Sequence, residues 1–293
     1  MNIATGIDRY RSIWISDIHL GTRGCKAEFL LDFLRHTESD YLYLVGDIVD
    51  GWRLKKAWYW PQAHNDVVQK LLRKARKGTR VIFVPGNHDA FARDYTEFRF
   101  GGIEILTEAL HVGADGRRFL VLHGDQFDGV VSCAQWLSRL GDKAYEIALT
   151  LNRWFNGVRH RLGWGYWSLS AYMKRKVKNA VQYIADFETV MAGMARHRAV
   201  DGIICGHIHH AELRRIGDVW YANDGDWVES CTALVEHGDG RLEILYWAEQ
   251  RGLSMFEGDG IALDTDDDIK ENSCVSSSSA MPAPPKSMEW SER

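Results

Sequence analysis

Paired cysteines are missing from this 293-residue chain. Its five cysteines are scattered and odd in number, and no two of them form a CxxC pair. This argues against both a disulfide framework and a zinc–thiolate cluster. No apolar run reaches about 18 residues, so no membrane-spanning helix is expected. Residues 1–12 lack the apolar segment of a secretory signal. We therefore expect reduced thiols in a cytoplasmic protein.

An excess of charge of one sign is missing as well. The chain has 36 Lys and Arg against 40 Asp and Glu, a net charge of −4 with neutral His. Composition therefore does not indicate a nucleic-acid-binding protein, which needs a basic surface to neutralise phosphates. Hydrophobic residues make up 45% of the chain, which suits one large domain or a domain with an insertion.

Short β-rich segments alternate with amphipathic helical segments in the N-terminal third. The predicted strands there are Arg11–Ile18, Tyr41–Val45 and Arg80–Val84, and the predicted helices are Ala27–His36 and Asp66–Arg76. Later strands are predicted at Phe119–Leu122, Gly202–Cys205, Val219–Ala222 and Leu242–Trp247. This alternation favours an α/β layered fold whose sheet is largely parallel at the N-terminal end.

Two segments break this pattern. Residues 130–200 are rich in Leu, Ala, Lys and Arg, and we predict a helical insertion on a core formed by residues 1–129 and 201–262. Residues 263–293 contain an acidic run, a serine run and a proline-rich stretch, so they are predicted to be a disordered tail.

Five polar clusters follow predicted strands directly. They are Asp17-Ile18-His19, Gly46-Asp47-Ile48-Val49-Asp50, Gly86-Asn87-His88-Asp89, His123-Gly124-Asp125 and Gly206-His207-Ile208-His209. Catalytic groups gather at the carboxyl ends of strands in an open α/β sheet, so five such clusters should converge on one site. Any one cluster alone is a weak signal, whereas five in this order are a strong one.

The residue types in these clusters indicate metal chemistry. Asp, His and Asn offer oxygen and imidazole donors without a thiolate, which suits Mn²⁺ above all, with Fe²⁺ or Zn²⁺ as alternatives. Asp-x-His and His-x-His place alternate side chains on one face of an extended segment. Seven donors exceed the needs of one ion and suit two ions that share a carboxylate, an arrangement typical of attack on phosphorus.

The series DxH, GDxxD, GNHD, HGD and GHxH resembles the calcineurin-like metallophosphoesterases over roughly residues 11–225. The resemblance implies an α/β fold of four layers, an α-β-β-α sandwich, with a helical insertion acting as a lid. It implies that the first metal is held by Asp17, His19, Asp47 and His209. Asp47 would bridge to a second metal, completed by Asn87, His123 and His207. His88 would contact a phosphate oxygen, Asp89 would orient His88, and Asp50 would act from behind the ligands.

Within that superfamily, the chain resembles the UDP-2,3-diacylglucosamine hydrolase type. The shared features are the opening ISDIHLG, the HGDxxD from His123 to Asp128, and a segment of helical character before GHxH. The resemblance implies cleavage of the pyrophosphate of a lipid-linked nucleotide sugar at the cytoplasmic face of the membrane. One departure is His88, where that type usually carries arginine.

The predicted insertion carries a local positive charge. Residues 130–200 hold eleven Lys and Arg against four Asp and Glu, together with several aromatic residues. Such a segment suits a substrate with a phosphate and an apolar part, or an anionic membrane surface. A solvated basic face over a packed core is the equally weighted alternative. The candidate substrate-binding residues are Trp154, Trp164, Trp167, Lys174, Arg175 and Lys178.

Other functions of the same superfamily stay open at this point. A protein phosphatase or a nucleotide phosphodiesterase would use the same metals, whereas a nuclease would want a long basic groove. A non-catalytic scaffold would normally have lost a metal ligand, and none of the seven is missing. The sequence therefore favours an enzyme.

Overall fold

The computed structural model describes residues 6–127, 183–185 and 187–252. Twelve strands lie within these ranges: β1 Asp8–Ile15, β2 Thr37–Leu44, β3 Arg80–Phe83, β4 Arg99–Phe100, β5 Ile103–Ile105, β6 Ala109–Val112, β7 Arg118–Val121, β8 Gly202–Cys205, β9 Glu212–Ile216, β10 Val219–Asn223, β11 Thr232–Glu236 and β12 Leu242–Tyr246. The helices are α1 Ala27–His36, α2 Gly51–Lys56, α3 Gln62–Arg76, α4 at residues 187–197 and α5 Trp247–Gln250. Short 3₁₀ turns occupy Ala90–Tyr95 and Asp125–Phe127.

The strands form two sheets in which parallel pairs occupy the interior. The first sheet has the order β12-β11-β1-β2-β3-β5-β4, and the second has the order β6-β7-β8-β10-β9. In the first, β1, β2, β3 and β5 run parallel, with Ile13 opposite Leu42 and Leu42 opposite Val81. In the second, β7, β8 and β10 run parallel. Antiparallel strands close the outer edges of both sheets.

The two sheets pack face to face around one apolar layer. It is built from alternating inward residues of both sheets: Trp14, Tyr43, Val45, Ile82, Val84, Ala109, Phe119, Val121, Ile204, Ala222 and Leu234. Interior parallel strands are covered on both faces, which explains their near-continuous hydrophobic sequences. The Trp14 and Tyr43 rings stack with centroids 5.4 Å apart, which fixes the register of β1 against β2.

Helices cover the outer faces of both sheets. α1 is amphipathic and buries Leu30, Phe33 and Leu34, and it packs beside α3, which buries Val67 and Leu71. On the other side, Phe187 and Met191 of α4 pack against the outer face of the second sheet. The expected four-layer α-β-β-α sandwich is therefore confirmed. Within the described residues, no helix is long and apolar enough to cross a bilayer.

Several element boundaries differ from the sequence-based expectation. β1 ends at Ile15 rather than Ile18, because Asp17 adopts a φ of 49°, which no strand residue can have. β11 was missed, since all five of its residues are buried and it shows no alternation of polar and apolar positions. α4 falls inside the segment assigned to the insertion, yet it forms the outer layer of the core.

Candidate metal centre

The five polar clusters meet at one edge of the sandwich. Three follow β1, β2 and β3, which are parallel neighbours in the first sheet, and two follow β7 and β8, which are parallel neighbours in the second. Parallel strands place their carboxyl ends at the same edge, so the chain positions all five clusters without any long excursion.

The backbone at these clusters is strained. Five of the seven predicted ligands have a positive φ although none is glycine: Asp17 (49°), His19 (53°), Asp47 (53°), His207 (74°) and His209 (52°). Each such conformation costs a non-glycine residue roughly 1–2 kcal/mol. Strain of this kind persists where the surrounding structure over-determines it, and it concentrates at functional sites.

Backbone hydrogen bonds hold the loops after β1 and β2 together. The Asp17 N–H donates to the Gly46 carbonyl at 3.1 Å, and the His19 N–H donates to the Asp47 carbonyl at 2.9 Å. Gly46 has a φ of 83°, and a Cβ there would collide with the His123 ring. A glycine at this position therefore lets the second sheet bring His123 against the loop of the first.

Asp17, His19 and His209 form the first group of close donors. One potential ligand atom from each lies within 4.8 Å of the others. His209 Nε2 is 3.1 Å from Asp17 Oδ1, and His19 Nε2 is 3.9 Å from the same oxygen. Burial alone would lower the pKa of His209, but the Asp17 carboxylate outweighs it and raises the pKa to about 9. The buried Asp17 side chain thus stays charged and faces cations.

Asp47, His123 and His207 form the second group. Their donor atoms also lie within 4.8 Å of one another, and His123 Nε2 is 3.5 Å from Asp47 Oδ2. His123 Nδ1 is 2.7 Å from the Val45 carbonyl, which can only accept, so Nδ1 carries a proton. This leaves Nε2 as the atom that can bind a metal. Burial opposes protonation of that ring, but Asp47 and Asp17 raise its pKa to about 10.

The Asp47 carboxylate lies between the two groups and also forms a third group with His19 and His88, whose donor atoms lie within 4.8 Å of one another. Its Oδ2 is 3.5 Å from His123 Nε2 and 3.9 Å from both His19 Nε2 and His88 Nε2. Its Oδ1 accepts the His88 N–H at 2.8 Å. Two buried atoms support a cation here: Asn87 Oδ1 and His123 Nε2 have no hydrogen-bond partner within the part of the chain that the structure describes. Oxygen and imidazole donors with unsatisfied lone pairs fit a divalent metal.

His88 is oriented by Asp50 rather than by Asp89. Its Nδ1 is 3.1 Å from Asp50 Oδ2, and the same oxygen is 3.4 Å from His19 Nδ1. Asp50 also caps α2, because its Oδ1 accepts the Arg53 N–H at 2.8 Å. Burial lowers the pKa of His88, but Asp50 and Asp47 together raise it above its ordinary value. The carboxylate contact to the His88 ring, which was expected from Asp89, therefore comes from Asp50 in the loop after β2.

The Asp89 carboxylate instead joins two backbone loops. Its Oδ1 accepts the Gly86 N–H at 2.6 Å, and its Oδ2 accepts the Ile48 N–H at 2.7 Å. Burial and the neighbouring Asp47 raise the pKa of Asp89 to about 6. Both oxygens are occupied by backbone donors, so Asp89 fixes the loops after β2 and β3 instead of acting on a ring.

Comparison with known families decides what this arrangement is. A sequence model of the calcineurin-like phosphoesterases matches residues 10–211, which contain all five clusters. The chain belongs to the calcineurin-like phosphoesterase family. Together with the names of the relatives below, this membership identifies a metal-dependent phosphoester hydrolase.

Relatives of this phosphoesterase include hydrolases that match it over most of their own length. A UDP-2,3-diacylglucosamine hydrolase from Xanthomonas campestris pv. campestris is 27% identical, covering 86% of this chain and 98% of the relative. The hydrolase of the same name from Serratia proteamaculans is 26% identical over 70% of this chain and 84% of its own length. Among solved structures, a phosphoesterase from E. coli aligns with a TM-score of 0.39 and 14% identity, covering 80% of this chain and 98% of that one.

A sixth strand end also contributes to the centre, and the sequence-based site had left it out. β10 runs parallel to β8 and is followed by Asp224-Gly225-Asp226. The Asn223 side-chain amide donates to the Gly206 carbonyl at 2.6 Å, which steadies the loop that carries His207. A polar cluster directly after a predicted strand was the available signal, as it was for the other five.

Ser16 joins Asp224 to the metal-facing Asp17. The Ser16 hydroxyl oxygen lies 2.6 Å from both Asp17 Oδ2 and Asp224 Oδ1. Its single proton serves one of them, so the second contact needs another proton. Burial and the charge of Asp17 raise the pKa of Asp224 well above its ordinary value, which favours a proton on Asp224. Asp17 Oδ2 further accepts the His207 N–H at 2.8 Å.

The predicted substrate-binding residues lie outside the described part of the chain. These are Trp154, Trp164, Trp167, Lys174, Arg175 and Lys178. The lid role assigned to the insertion, and the tail at residues 263–293, stay predictions for the same reason.

Proposed function

We propose that this phosphoesterase uses two metal ions to hydrolyse the pyrophosphate of a lipid-linked nucleotide of the UDP-2,3-diacylglucosamine type. The observation that carries the dinuclear part is the position of Asp47 between the two donor groups. Asp17, His19 and His209 would hold one ion together with Asp47. Asn87, His123 and His207 would complete the second.

The donor chemistry favours Mn²⁺, with Fe²⁺ and Zn²⁺ as the alternatives, because carboxylate, amide and imidazole ligands suit borderline-to-hard ions. When bound, two such ions supply Lewis acidity to the phosphoryl group and to the attacking water. Carbonyl and carboxylate oxygens orient the predicted ligand rings. The Val45 carbonyl contacts His123, and the Asp50 carboxylate contacts His19.

His88 would act on the substrate rather than on a metal. Asp50 keeps a proton on its Nδ1 side and raises its pKa, so the ring can also carry a proton at Nε2. That Nε2 faces the same carboxylate oxygen as His19 and His123, so it lies at the edge of the centre. A protonated imidazole there stabilises charge on a phosphoryl oxygen.

Aromatic side chains at the rim support a substrate with an apolar part. The Trp52 ring packs on His88 with centroids 4.3 Å apart, and 52% of its surface remains exposed. Phe91 is equally exposed and lies beside Gly51, the residue between Asp50 and Trp52. Each methylene of an acyl chain buried on such surface contributes about 0.8 kcal/mol. The hydrolase names of the full-length relatives point to the same substrate class.

Cleavage of a lipid-anchored substrate would place the protein at the inner face of the cytoplasmic membrane. Arg53, Lys55 and Lys56 of α2 are exposed next to the aromatic rim, and their charge is complementary to anionic lipids.

The test of substrate class compares an acylated substrate with its matched unacylated analogue. Protein with added Mn²⁺ is assayed on UDP-2,3-diacylglucosamine, UDP-glucosamine, a chromogenic phosphodiester and a phosphopeptide. We expect UMP release from the acylated compound with a kcat/KM far above that for UDP-glucosamine. Preference for the phosphopeptide would indicate a protein phosphatase, and preference for the diester would indicate a nucleotide phosphodiesterase. No hydrolysis of any of the four would indicate a non-catalytic scaffold.

The test of the dinuclear centre measures metal content. We expect two ions per wild-type chain, and loss of both in Asp47→Asn, because one carboxylate serves both groups. The matched control is Asp94→Asn, an exposed carboxylate outside the centre, which should keep both ions. Full binding of two ions by Asp47→Asn would contradict the shared position of Asp47.

A further inference from the structure

A second polar cavity lies at the opposite end of the first sheet from the metal centre. It measures ≈ 410 Å³ and is bordered by the beginnings of β1 and β2 and by the ends of α1 and α3. Its lining contains six cationic side chains, which are Arg9, Arg35, Lys70, Arg73, Lys74 and Lys77. Only Glu38 and Asp40 oppose them within the lining. We call this the basic cavity.

Most of these cations have no counter-ion among the described residues. Arg9 pairs with Asp40 at 3.2 Å. Across residues 6–127 and the described parts of 183–252, no ion pair within 4.0 Å involves Arg35, Lys70, Arg73 or Lys77. Burial lowers the pKa of Lys70, and repulsion from Lys77, Arg73 and Arg35 lowers it further. The basic cavity therefore holds positive charge that its own carboxylates do not neutralise.

Two buried polar side chains border the cavity. Lys74 is only 7% exposed, and its ammonium, which has three donors, donates to the Thr37 carbonyl at 2.5 Å. Burial and Lys70 lower the pKa of Lys74 to about 8. Ser39 is likewise 7% exposed, and its hydroxyl has no hydrogen-bond partner among the described residues. Buried polar groups are usually satisfied, so the Ser39 hydroxyl favours a ligand that carries acceptor atoms.

Helix dipoles explain part of this charge but not all of it. Arg35 lies in the last turn of α1, and Arg73 and Lys74 lie in the last turn of α3, where cations stabilise the helix end. Lys77 caps the C-terminal end of α3, where the same dipole acts, whereas Lys70 lies before that turn and Arg9 belongs to β1. The helix dipoles therefore do not account for Lys70 and Arg9.

We propose that the basic cavity binds a small anion carrying phosphate groups. A dianionic phosphate offers several acceptor oxygens to the Lys74 ammonium and the Ser39 hydroxyl, and it would neutralise the surrounding cations. The cavity volume lies within the range of small-molecule sites and exceeds what a single phosphate fills. β2 spans the eight residues from Thr37 to Leu44, so the cavity is separate from the metal centre by about 25 Å of strand.

The experiment titrates inorganic pyrophosphate into the metal-free full chain by calorimetry, with chelator present so that the metal centre offers no cation. The test variant is Lys70→Gln with Lys77→Gln, and the matched control is Arg118→Gln with Arg215→Gln, which removes the same charge from exposed positions on β7 and β9 of the second sheet. Wild type and control should bind equally. The test variant should bind at least about tenfold more weakly, since two of the nearby cations are gone. Thermal unfolding verifies that all three proteins are folded.

Two outcomes would overturn the proposal: no saturable pyrophosphate binding by wild type, or equal weakening in both double variants. The latter would mean that only overall charge matters. A second arm then distinguishes the source of the phosphate. Sedimentation with phosphatidylglycerol vesicles, against phosphatidylcholine vesicles, that falls in the test variant alone assigns the phosphate to a lipid headgroup. Pyrophosphate binding without vesicle binding assigns it to a soluble phosphate compound.

Discussion

Asp50→Asn is the most informative substitution at the metal centre. Asp50 contacts two imidazole rings but has no predicted role as a metal ligand. The amide oxygen of Asn can still accept the Arg53 N–H, so the cap of α2 is retained. The charge facing His88 Nδ1 at 3.1 Å and His19 Nδ1 at 3.4 Å is lost. A hydrogen bond to a charged group contributes about 1.5–3 kcal/mol, so we expect kcat to fall roughly 10- to 100-fold.

The pH profile gives this prediction a sign. Asp50 raises the pKa of His88, so Asp50→Asn lowers it. If protonated His88 is the active form, activity is lost as pH rises through that pKa, and the alkaline limb must move to lower pH. The assay is kcat and kcat/KM against pH, with metal content measured in parallel and Asp94→Asn as control. An unchanged kcat with an unmoved alkaline limb would refute the reasoning. A loss of metal at constant kcat per metal-loaded site would mean that the fall in activity arises from the lost contact to His19.

Three further outcomes are expected. His88→Ala should lower kcat by about 10²–10³ while metal content stays at the wild-type level, whereas loss of metal would make His88 a ligand. Burial opposes ionisation of Glu236, but bonds from His111, Ala114 and Arg11 lower its pKa to about 2 from an ordinary value of 4.5. Its stabilisation is therefore complete above pH 4.5 and lost as pH falls towards 2. Denaturant unfolding should show that the free energy of unfolding of wild type falls by on the order of 2 kcal/mol more than that of Glu236→Gln over that pH range. Parallel plots of unfolding free energy against pH for the two proteins would contradict this. Trp52→Ala should raise KM for the acylated substrate and leave KM for UDP-glucosamine unchanged, and an equal change in both would exclude an acyl contact.

The sequence predicted the catalytic class because the predicted ligands lie in short local motifs. Each of the five clusters follows a strand that can be predicted from its run of apolar residues. Parallel strands place their carboxyl ends at the same edge of the sheet, so the clusters are expected to lie close together. The donor groups around Asp17 and Asp47 contain six of the seven predicted ligands, and Asn87 lies at the same centre with its amide oxygen unsatisfied. The alternation of elements predicted a layered α/β fold, and the resemblance to the calcineurin-like metallophosphoesterases implied the four layers.

Contacts between distant loops were decided by the tertiary structure alone. Asp89 is next to His88 in sequence, yet it bonds backbone N–H groups, while Asp50, 38 residues earlier, reaches the His88 ring. Asp224 acts on Asp17 through Ser16 only because β10 lies beside β8 in the second sheet. The sequence gives the side chains that each loop contains. Packing, strand register and backbone conformation determine which of those side chains contact each other. The charge of the basic cavity has the same origin, since the four cations between Lys70 and Lys77 meet Arg9 of β1 and Arg35 of α1 only when the sheet and helices assemble.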